Sequence, residues 1–558
     1  MSTPGHSVKD SLVTNLKRDL PEVDIQACQS TAGRPTIHSS RGGTLPPADP
    51  ALAMASAASR LHNDILLDIF HIIVQVTFAC DNTSDNGTAG SLLILPISHV
   101  CRSWRILTLA SPCLWSFLQI TATTHNDMLD AFLSRSQAVI LSIRFSGWKV
   151  NEELFEMART LSEKHMGRMG NLCIKDLWTQ NTVKILAFFE DKHAPNLYAL
   201  TVEAGPNGDV VPLFDGCMPV LRRLRMKMVI LRWLPLKDMV VLEIVGEAYM
   251  PAKEDLLWTL RHSPALEELH LSLGEESPQD AVTSSLHIAD DVVHLPRLQN
   301  LQLGSFRSND DVLFFLSRLD FPTSASVSVS LYGPPPEHAY LGDICPSIRD
   351  IQARIVEGSL RFDFLYTVYN VILRSLDGTF NMEWERGLLL QANSDAHMRN
   401  ALNCVSLPAL QCLKIYANNY SPPKEEWVDL FRRIPTILRL EVDFRSELFS
   451  SGWSQSGPAF FDALGEHGVD GKLVCPHLTQ LIIVRDTSDG VAQGEAWEAL
   501  RRTLLGRAQE GAPQLESLDF IKGEGDQELT LPEDYVPVDR LAGLAGRIIV
   551  QPAQDESE

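Results

Sequence analysis

Cysteine is scarce in this chain and spaced for none of its usual uses. Ten occur in 558 residues, at positions 28, 80, 101, 113, 173, 217, 345, 404, 412 and 475, and none forms a C-x-x-C pair. That removes the main signal of a zinc ribbon or a thioredoxin-type redox site, and with it any disulfide framework. Reduced thiols in a cytosolic or nuclear protein fit best. Basic charge is short as well: 48 Lys+Arg stand against 70 Asp+Glu, a formal net charge of −22. A nucleic-acid binder needs a basic surface to meet phosphates, and a peripheral membrane protein needs one to meet anionic lipids, so neither partner is expected. Apolar runs such as Leu92 to Ile97 fall far short of the ~20 residues that cross a bilayer. The opening MSTPGHSVKDSLVTNLKRDLPEVD has no apolar core of a secretory signal, which points to an intracellular protein.

Signatures of chemistry are missing too. There is no G-x-x-x-x-G-K-[ST], no G-x-G-x-x-G, no G-x-S-x-G and no H-E-x-x-H. The loop from Asp81 to Thr88 resembles the start of an EF-hand, but Gly87 comes one place late and Leu92 stands where a bidentate Glu is required. Carboxylate pairs such as Glu267-Glu268 read as a solvated face rather than an acid/base dyad. No catalytic residue, metal or cofactor is expected.

What the chain does have is apolar pattern. Hydrophobic residues make up 45% and charged residues 21%, which excludes wholesale disorder. The length allows three or four domains or one long repeat array. Residues 1–58 are rich in Ser, Thr, Gly, Pro and Ala and read as a disordered leader. From Arg60 the pattern changes. Leu61, Ile65, Ile69 and Ile72, widened by Leu66, Phe70 and Ile73, predict an amphipathic helix to about Phe78. After a polar loop at 80–90, Ile97, Val100, Trp104 and Leu107 predict a second helix, which Ser111-Pro112 stops. Ser116 to Thr121 then alternates like a strand.

Beyond residue 125 one phrase recurs: Pro-x-Leu-x-x-Leu-x-apolar. It starts at Pro195, Pro219, Pro264, Pro296, Pro408, Pro435, Pro476 and Pro513, with looser relatives at Pro235 and Ala325. Adjacent copies lie 24, 32 and 27 residues apart (Pro195 to Pro219, Pro264 to Pro296, Pro408 to Pro435). Leucine-rich repeats recur every ~20–29 residues. The proline ends a helix or starts the turn into a strand, and the leucines point to one side of it. One such unit cannot bury its apolar face alone, so copies must stack. Between Pro296 and Pro408 the spacing is irregular, which predicts insertions or degenerate units.

Residues 60–120 resemble an F-box. That family opens Leu-Pro-x-Glu-(Leu/Ile)-Leu-x-x-Ile-Phe, and here the stretch Leu61-His62-Asn63-Asp64-Ile65-Leu66-Leu67-Asp68-Ile69-Phe70 is similar. Its second half reads Val-Cys-(Arg/Lys)-x-Trp-Arg, matched by Val100-Cys101-Arg102-Ser103-Trp104-Arg105. The continuations ILTLASPCLWSFLQI and HNDMLDAFLSRSQAVILSIRF resemble a large F-box group of mushroom-forming fungi, whose members run on into degenerate leucine-rich repeats. Two departures stand out: His62 replaces the usual proline, and the loop at 80–90 is longer than in a minimal F-box.

The resemblance implies an α/β chain: a small helical F-box module at 59–120, a leucine-rich-repeat-like solenoid at 121–545, and an acidic disordered tail at 546–558. It also implies a role. F-box helices pack on a Skp-type adaptor, which joins them to a cullin-RING ubiquitin ligase, and the F-box chain raises the effective concentration of a protein substrate without performing chemistry. The implied adaptor face is Leu61, Ile65, Leu66, Ile69 and Phe70 with Val100, Cys101, Trp104 and Leu107, of which Trp104 is the one expected inside. The alternative is a repeat scaffold with no ligase link. Period-two alternation from the second Leu of each phrase places Thr201, Arg225, His270, Gln302, Lys414, Glu441, Ile482 and Asp519 on the outer face, the expected substrate surface. Its mixed charge fits a protein ligand rather than a nucleic-acid backbone.

Overall fold

The computed structural model describes residues 61–79 and 94–551, apart from 148–149, 205–209, 212–213, 215–217, 229, 232–235, 247–250, 274–291, 306–308, 333–339, 366–367, 387–403, 417–421, 445–451, 469–470, 486–492 and 523–540. The leader at 1–58 and the long loop at 80–90 lie outside the described residues. The fold is α/β, in two compact units: Met1–Leu200 with Cys217–Val220, and Thr201–Gly216 with Leu221–Glu558. The division falls near residue 200 and not at 120, so the helical module shares a unit with the first strands.

In the first unit, helix α1 (Asn63–Ala79) opens with the Leu66 N–H donating to the His62 carbonyl. Asp64 sits in its first turn, where a negative charge meets the positive end of the helix dipole. Leu66, Phe70, Val74 and Phe78, each four residues apart, form its buried stripe. The single helix expected from Ile97 to Leu107 is instead two, α2 (Ile94–His99) and α3 (Arg102–Leu109). Cys101 makes the break: its backbone is extended (φ −157°, ψ 168°), and its Sγ accepts the Trp104 N–H at 3.5 Å as an N-cap.

The Ser-Pro stop leads into a 3-10 turn, Pro112–Trp115, and then β1 (Phe117–Ile120). Trp115 fixes this corner. It is buried, its Nε1–H donates to the Thr108 carbonyl at 2.9 Å, and its ring meets Phe132 edge-on at 5.0 Å. Next come α4 (Asn126–Ser136), β2 (Leu141–Ser146), α5 (Glu152–Lys164), β3 (Met169–Lys175) and α6 (Thr179–Ala187). Strands β1, β2 and β3 pair in parallel, as helix-crossover connections require. Strand β4 (Ala199–Glu203) straddles the boundary between the units.

The second unit holds β5 (Arg223–Lys227), β6 (Val241–Val245), β7 (Glu268–Leu273), β8 (Asn300–Ser305), β9 (Ser326–Tyr332), β10 (Glu357–Leu365), β11 (Val368–Ser375) and β12 (Phe380–Arg386). It continues with β13 (Cys412–Tyr416), β14 (Arg439–Asp443), β15 (Gln480–Arg485), β16 (Leu515–Lys522) and β17 (Ala545–Gln551). Helices α7 (Lys253–Arg261), α8 (Asn309–Leu316), α9 (Leu341–Ile344), α10 (Pro346–Gln352), α11 (Lys424–Arg433), α12 (Gly452–Leu464) and α13 (Gln493–Gln509) fall between strands. In space the strands run β5-β6-β7-β8-β9-β12-β11-β10-β13-β14-β15-β16-β17.

The recurring phrase explains this sheet. In all eight copies the three apolar positions are buried, as in Leu266, Leu269 and Leu271 after Pro264, or Leu410, Leu413 and Ile415 after Pro408. The proline is the second residue of a turn. The Leu266 N–H donates to the Ser263 carbonyl at 3.0 Å, and the same bond recurs from Leu298, Leu410, Ile437 and Leu478. That position suits proline because its ring pre-sets φ near −65°.

The irregular stretch has its own account. Between β10 and β13 the chain inserts β11 and β12, which fold back as an antiparallel meander. This wedges β12 against β9, in parallel, and, among the described residues of this sheet, leaves β11 as the one strand running against its neighbours. At the other end, Ala545–Gln551 pairs in parallel with β16. Residues 546–551 therefore belong to the sheet and not to the expected disordered tail, because Ile548, Ile549 and Val550 continue the strand pattern.

Candidate protein-interaction surfaces

The helical module carries an unusual outer face. Sixteen large apolar side chains are exposed among the described residues, and eight of them fall between residues 61 and 109: Leu61, Ile65, Ile69, Ile72, Ile73, Val100, Ile106 and Leu109. Val100 and Ile106 are each 61% exposed and Ile65 is 49% exposed. Isolated exposed apolar residues need no explanation, but this concentration does.

Two residues expected on that face are inside instead. Leu66 is 4% exposed and Phe70 1%. Phe70 is covered by Trp104, half-buried on α3, whose ring meets it edge-on at 4.8 Å. Leu107 is half-buried, and Cys101 is exposed but engaged as the α3 cap. The outward set also includes Ile72, Ile73, Ile106 and Leu109, which the predicted adaptor face omitted. Ile72 and Ile73 stand in the helical stripe read from the sequence. Ile106 and Leu109 become visible only once α3 is known to start afresh at Cys101.

Each row of the large sheet brings together residues far apart in sequence. Starting from Arg225, the strand register aligns Glu243, His270, Gln302, Ser328, Asn381, Arg374, Ser359, Lys414, Glu441, Ile482, Asp519 and Ile549. Seven of the eight predicted substrate-face residues are in this one row. The eighth, Thr201, is half-buried on β4, and just past it the Ala204 N–H donates to the Lys227 carbonyl on β5 at 3.0 Å.

Two of the seven are not available. Ile482 is 4% exposed and Asp519 9%. Residues Leu481 to Val484 of β15 are buried on both faces, so alternation no longer separates inside from outside there. Asp519 is covered by its neighbours: the Gln480 side-chain amide donates to its Oδ2 at 3.3 Å and the Ser517 hydroxyl at 3.5 Å.

The remaining row has an ion-paired cluster at each end and, between them, uncharged side chains together with Arg374, whose Nε–H donates to Asn381 Oδ1 at 3.0 Å. At one end Glu243 is ringed by Arg225 Nε at 3.5 Å, Lys227 Nζ at 3.3 Å and His270 Nδ1 at 3.5 Å. Burial alone would raise its pKa, but the His270 hydrogen bond and the charges of Lys227 and Arg225 outweigh this and hold the carboxyl at about 2. At the other end Lys414 pairs with Glu441 at 3.1 Å and lies over the Tyr416 ring at 5.0 Å. Burial would lower the Lys414 pKa; Tyr416 and Glu441 outweigh it and raise it. Between these ends Gln302, Ser328, Asn381 and Ser359 offer uncharged donors and acceptors, with the Asn381 amide donating to Ser328 Oγ at 2.9 Å.

Glu243 was missed as a site residue. Its signal was the looser phrase from Pro235, where period-two alternation from Leu242 points it outward. Arg374 and Asn381 were also missed, because the inserted meander carries no Pro-x-Leu phrase.

Among the described residues no group of three or more His, Cys, Asp and Glu could hold a metal, and no helix is long and apolar enough to cross a membrane. No protein-family model matches this chain, and no curated protein matches it. Among solved structures, a chain of the yeast Rad7 and Elc1 complex is similar at 13% identity, over 72% of this chain and 94% of that one, with a TM-score of 0.27. At that TM-score the likeness assigns neither fold nor function.

Proposed function

We propose that this chain is the substrate-recognition subunit of a Skp/cullin/F-box ubiquitin ligase. The helical module binds a Skp-type adaptor and the outer face of the repeat sheet binds a protein substrate. The observation that carries this reading is the concentration of eight exposed apolar side chains on residues 61–109, the same segment that holds the V-C-R-S-W-R motif. Each large side chain fully buried on docking is worth about 1.5–3 kcal/mol before the cost of association. The mixed-charge row from Arg225 to Glu441 supports a protein as the second partner.

The test is co-purification of the full chain with a Skp-type adaptor, alongside an Ile65→Asp/Ile69→Asp variant. Both residues are exposed in the free chain, 49% and 38%, so the variant folds normally by circular dichroism. Binding is lost because docking would bury two unpaired carboxylates. A folded wild type that ignores the adaptor leaves the alternative, a repeat scaffold with no ligase link.

A further inference from the structure

The sequence favours one helix where the structure has two. Ile97, Val100, Trp104 and Leu107 step by three, four and three residues, which keeps them on one stripe of a continuous helix. In such a helix Val100 would share its face with Trp104. In the structure it does not: Val100 is 61% exposed, whereas Trp104 is half-buried against Phe70 and Leu107 is half-buried as well. The change of face falls at Cys101, whose extended backbone separates α2 from α3. The Cys101 carbonyl accepts the Arg105 N–H at 3.0 Å, and its Sγ accepts the Trp104 N–H at 3.5 Å. Trp104 is the third residue of α3, one of the positions that an N-cap side chain serves.

Sulfur is a weak acceptor, so this cap is modest beside one from Ser, Asp or Asn. It works against an apolar pattern that runs straight through it. We propose that Cys101 is a positioning residue of the helical module: its cap keeps α2 and α3 separate and so keeps Val100 on the outer apolar face. For binding, this rests on the reading of that face as the adaptor's. Cys101 then acts through Val100 and the phase of α3, not through a contact of its own. Alanine at 101 would be the best helix former and would carry no acceptor, so it favours the continuous helix. In that helix the N–H groups of Arg102, Ser103 and Trp104, which start α3 without intrahelical carbonyls, gain those of Ser98, His99 and Val100. Val100 turns toward the Trp104 side and leaves the outer face.

The test compares the full wild-type chain with Cys101→Ala and Cys101→Ser, both at an exposed position. Amide hydrogen exchange of residues 101–105 is read by mass spectrometry on the free chains, and affinity for a Skp-type adaptor by titration calorimetry. Cys101→Ala should slow exchange at Arg102, Ser103 and Trp104 and weaken adaptor binding about fivefold, the usual worth of an N-cap. Cys101→Ser keeps an acceptor in the same place and should show wild-type exchange and wild-type affinity. Loss of a mere contact would weaken binding without slowing exchange. Exchange that is unchanged or faster in Cys101→Ala overturns the proposal, as does a Cys101→Ser chain that behaves like Cys101→Ala. Exchange is measured without the adaptor, so a wild type that binds no adaptor removes the ligase reading alone, and the exchange result still decides the part played by Cys101.

Discussion

The guanidinium of Arg225 reaches across one strand to Glu268, 3.0 Å away, and passes 3.5 Å from Glu243 on the strand between. One cation thus serves two carboxylates on three strands, 43 residues apart in sequence at the extremes. Glu243 is the centre of this cluster and the more protected carboxylate, at 15% side-chain exposure against 32% for Glu268.

This arrangement predicts an acid-dependent loss of stability. The folded-state pKa of Glu243, about 2, lies below its ordinary value of 4.5. The unfolded chain therefore binds the proton first as pH falls, and the stabilisation, full above pH 4.5, is lost progressively toward pH 2. The size is on the order of 3 kcal/mol. Urea midpoints measured from pH 6 down to pH 3 should fall for the wild type. A Glu243→Gln variant should start lower at pH 6 and fall less steeply.

The edge-to-face contact of Phe70 with Trp104 predicts a sharp contrast along one helix. Phe70→Ala leaves a cavity between α1 and α3 and should cost about 3–5 kcal/mol. Ile69→Ala, one residue earlier and 38% exposed, should change stability by less than about 0.5 kcal/mol. Denaturant titration gives both values, and the Trp104 fluorescence should shift to the red only in the Phe70 variant.

That contrast marks where the sequence is legible and where it is not. The repeat phrase carries its own geometry: a turn-setting proline, two leucines and an apolar residue at fixed offsets are enough to place Arg225, His270, Gln302, Lys414 and Glu441 in one row. The helical module has no such ruler. Its first helix is apolar over so wide an arc that Ile69 and Phe70 read alike, and the contact of Phe70 with Trp104 on another helix marks which of them faces inward. Ile482 and Asp519 fail for a related reason. Alternation tells inside from outside only where one face of a strand is bare, and Leu481 to Val484 of β15 and Ser517 to Phe520 of β16 are buried on both. The irregular spacing between Pro296 and Pro408 marks an insertion there but not its antiparallel form, because antiparallel strands need no proline turn or crossover helix.

Recognition along the row makes a proteomic prediction. Reversing Arg225, Lys414 and Glu441 together changes charge at both ends of the outer face. Proteins captured by the full chain should change, while co-purification with the adaptor should not. A capture list identical to that of the wild type would place recognition away from this row.

The Lys414–Glu441 pair permits a stricter test of the row's geometry. The two side chains are 23% and 16% exposed and 3.1 Å apart, on strands paired in register. Lys414→Glu alone puts two carboxylates side by side and removes the cation from the Tyr416 ring; Glu441→Lys alone opposes two ammonium groups and adds a cation beside Arg439, which lies 3.7 Å from Glu441. Each reversal should therefore destabilise the fold. The exchanged double variant restores opposite charges but leaves Tyr416 without its cation and Arg439 without its carboxylate, so recovery should be partial. A double-mutant cycle by urea denaturation should give a favourable coupling of about 1 kcal/mol, within the range for partly buried neighbours. Coupling near zero would mean that the two side chains do not meet in solution, and the row would then lose its second charged end.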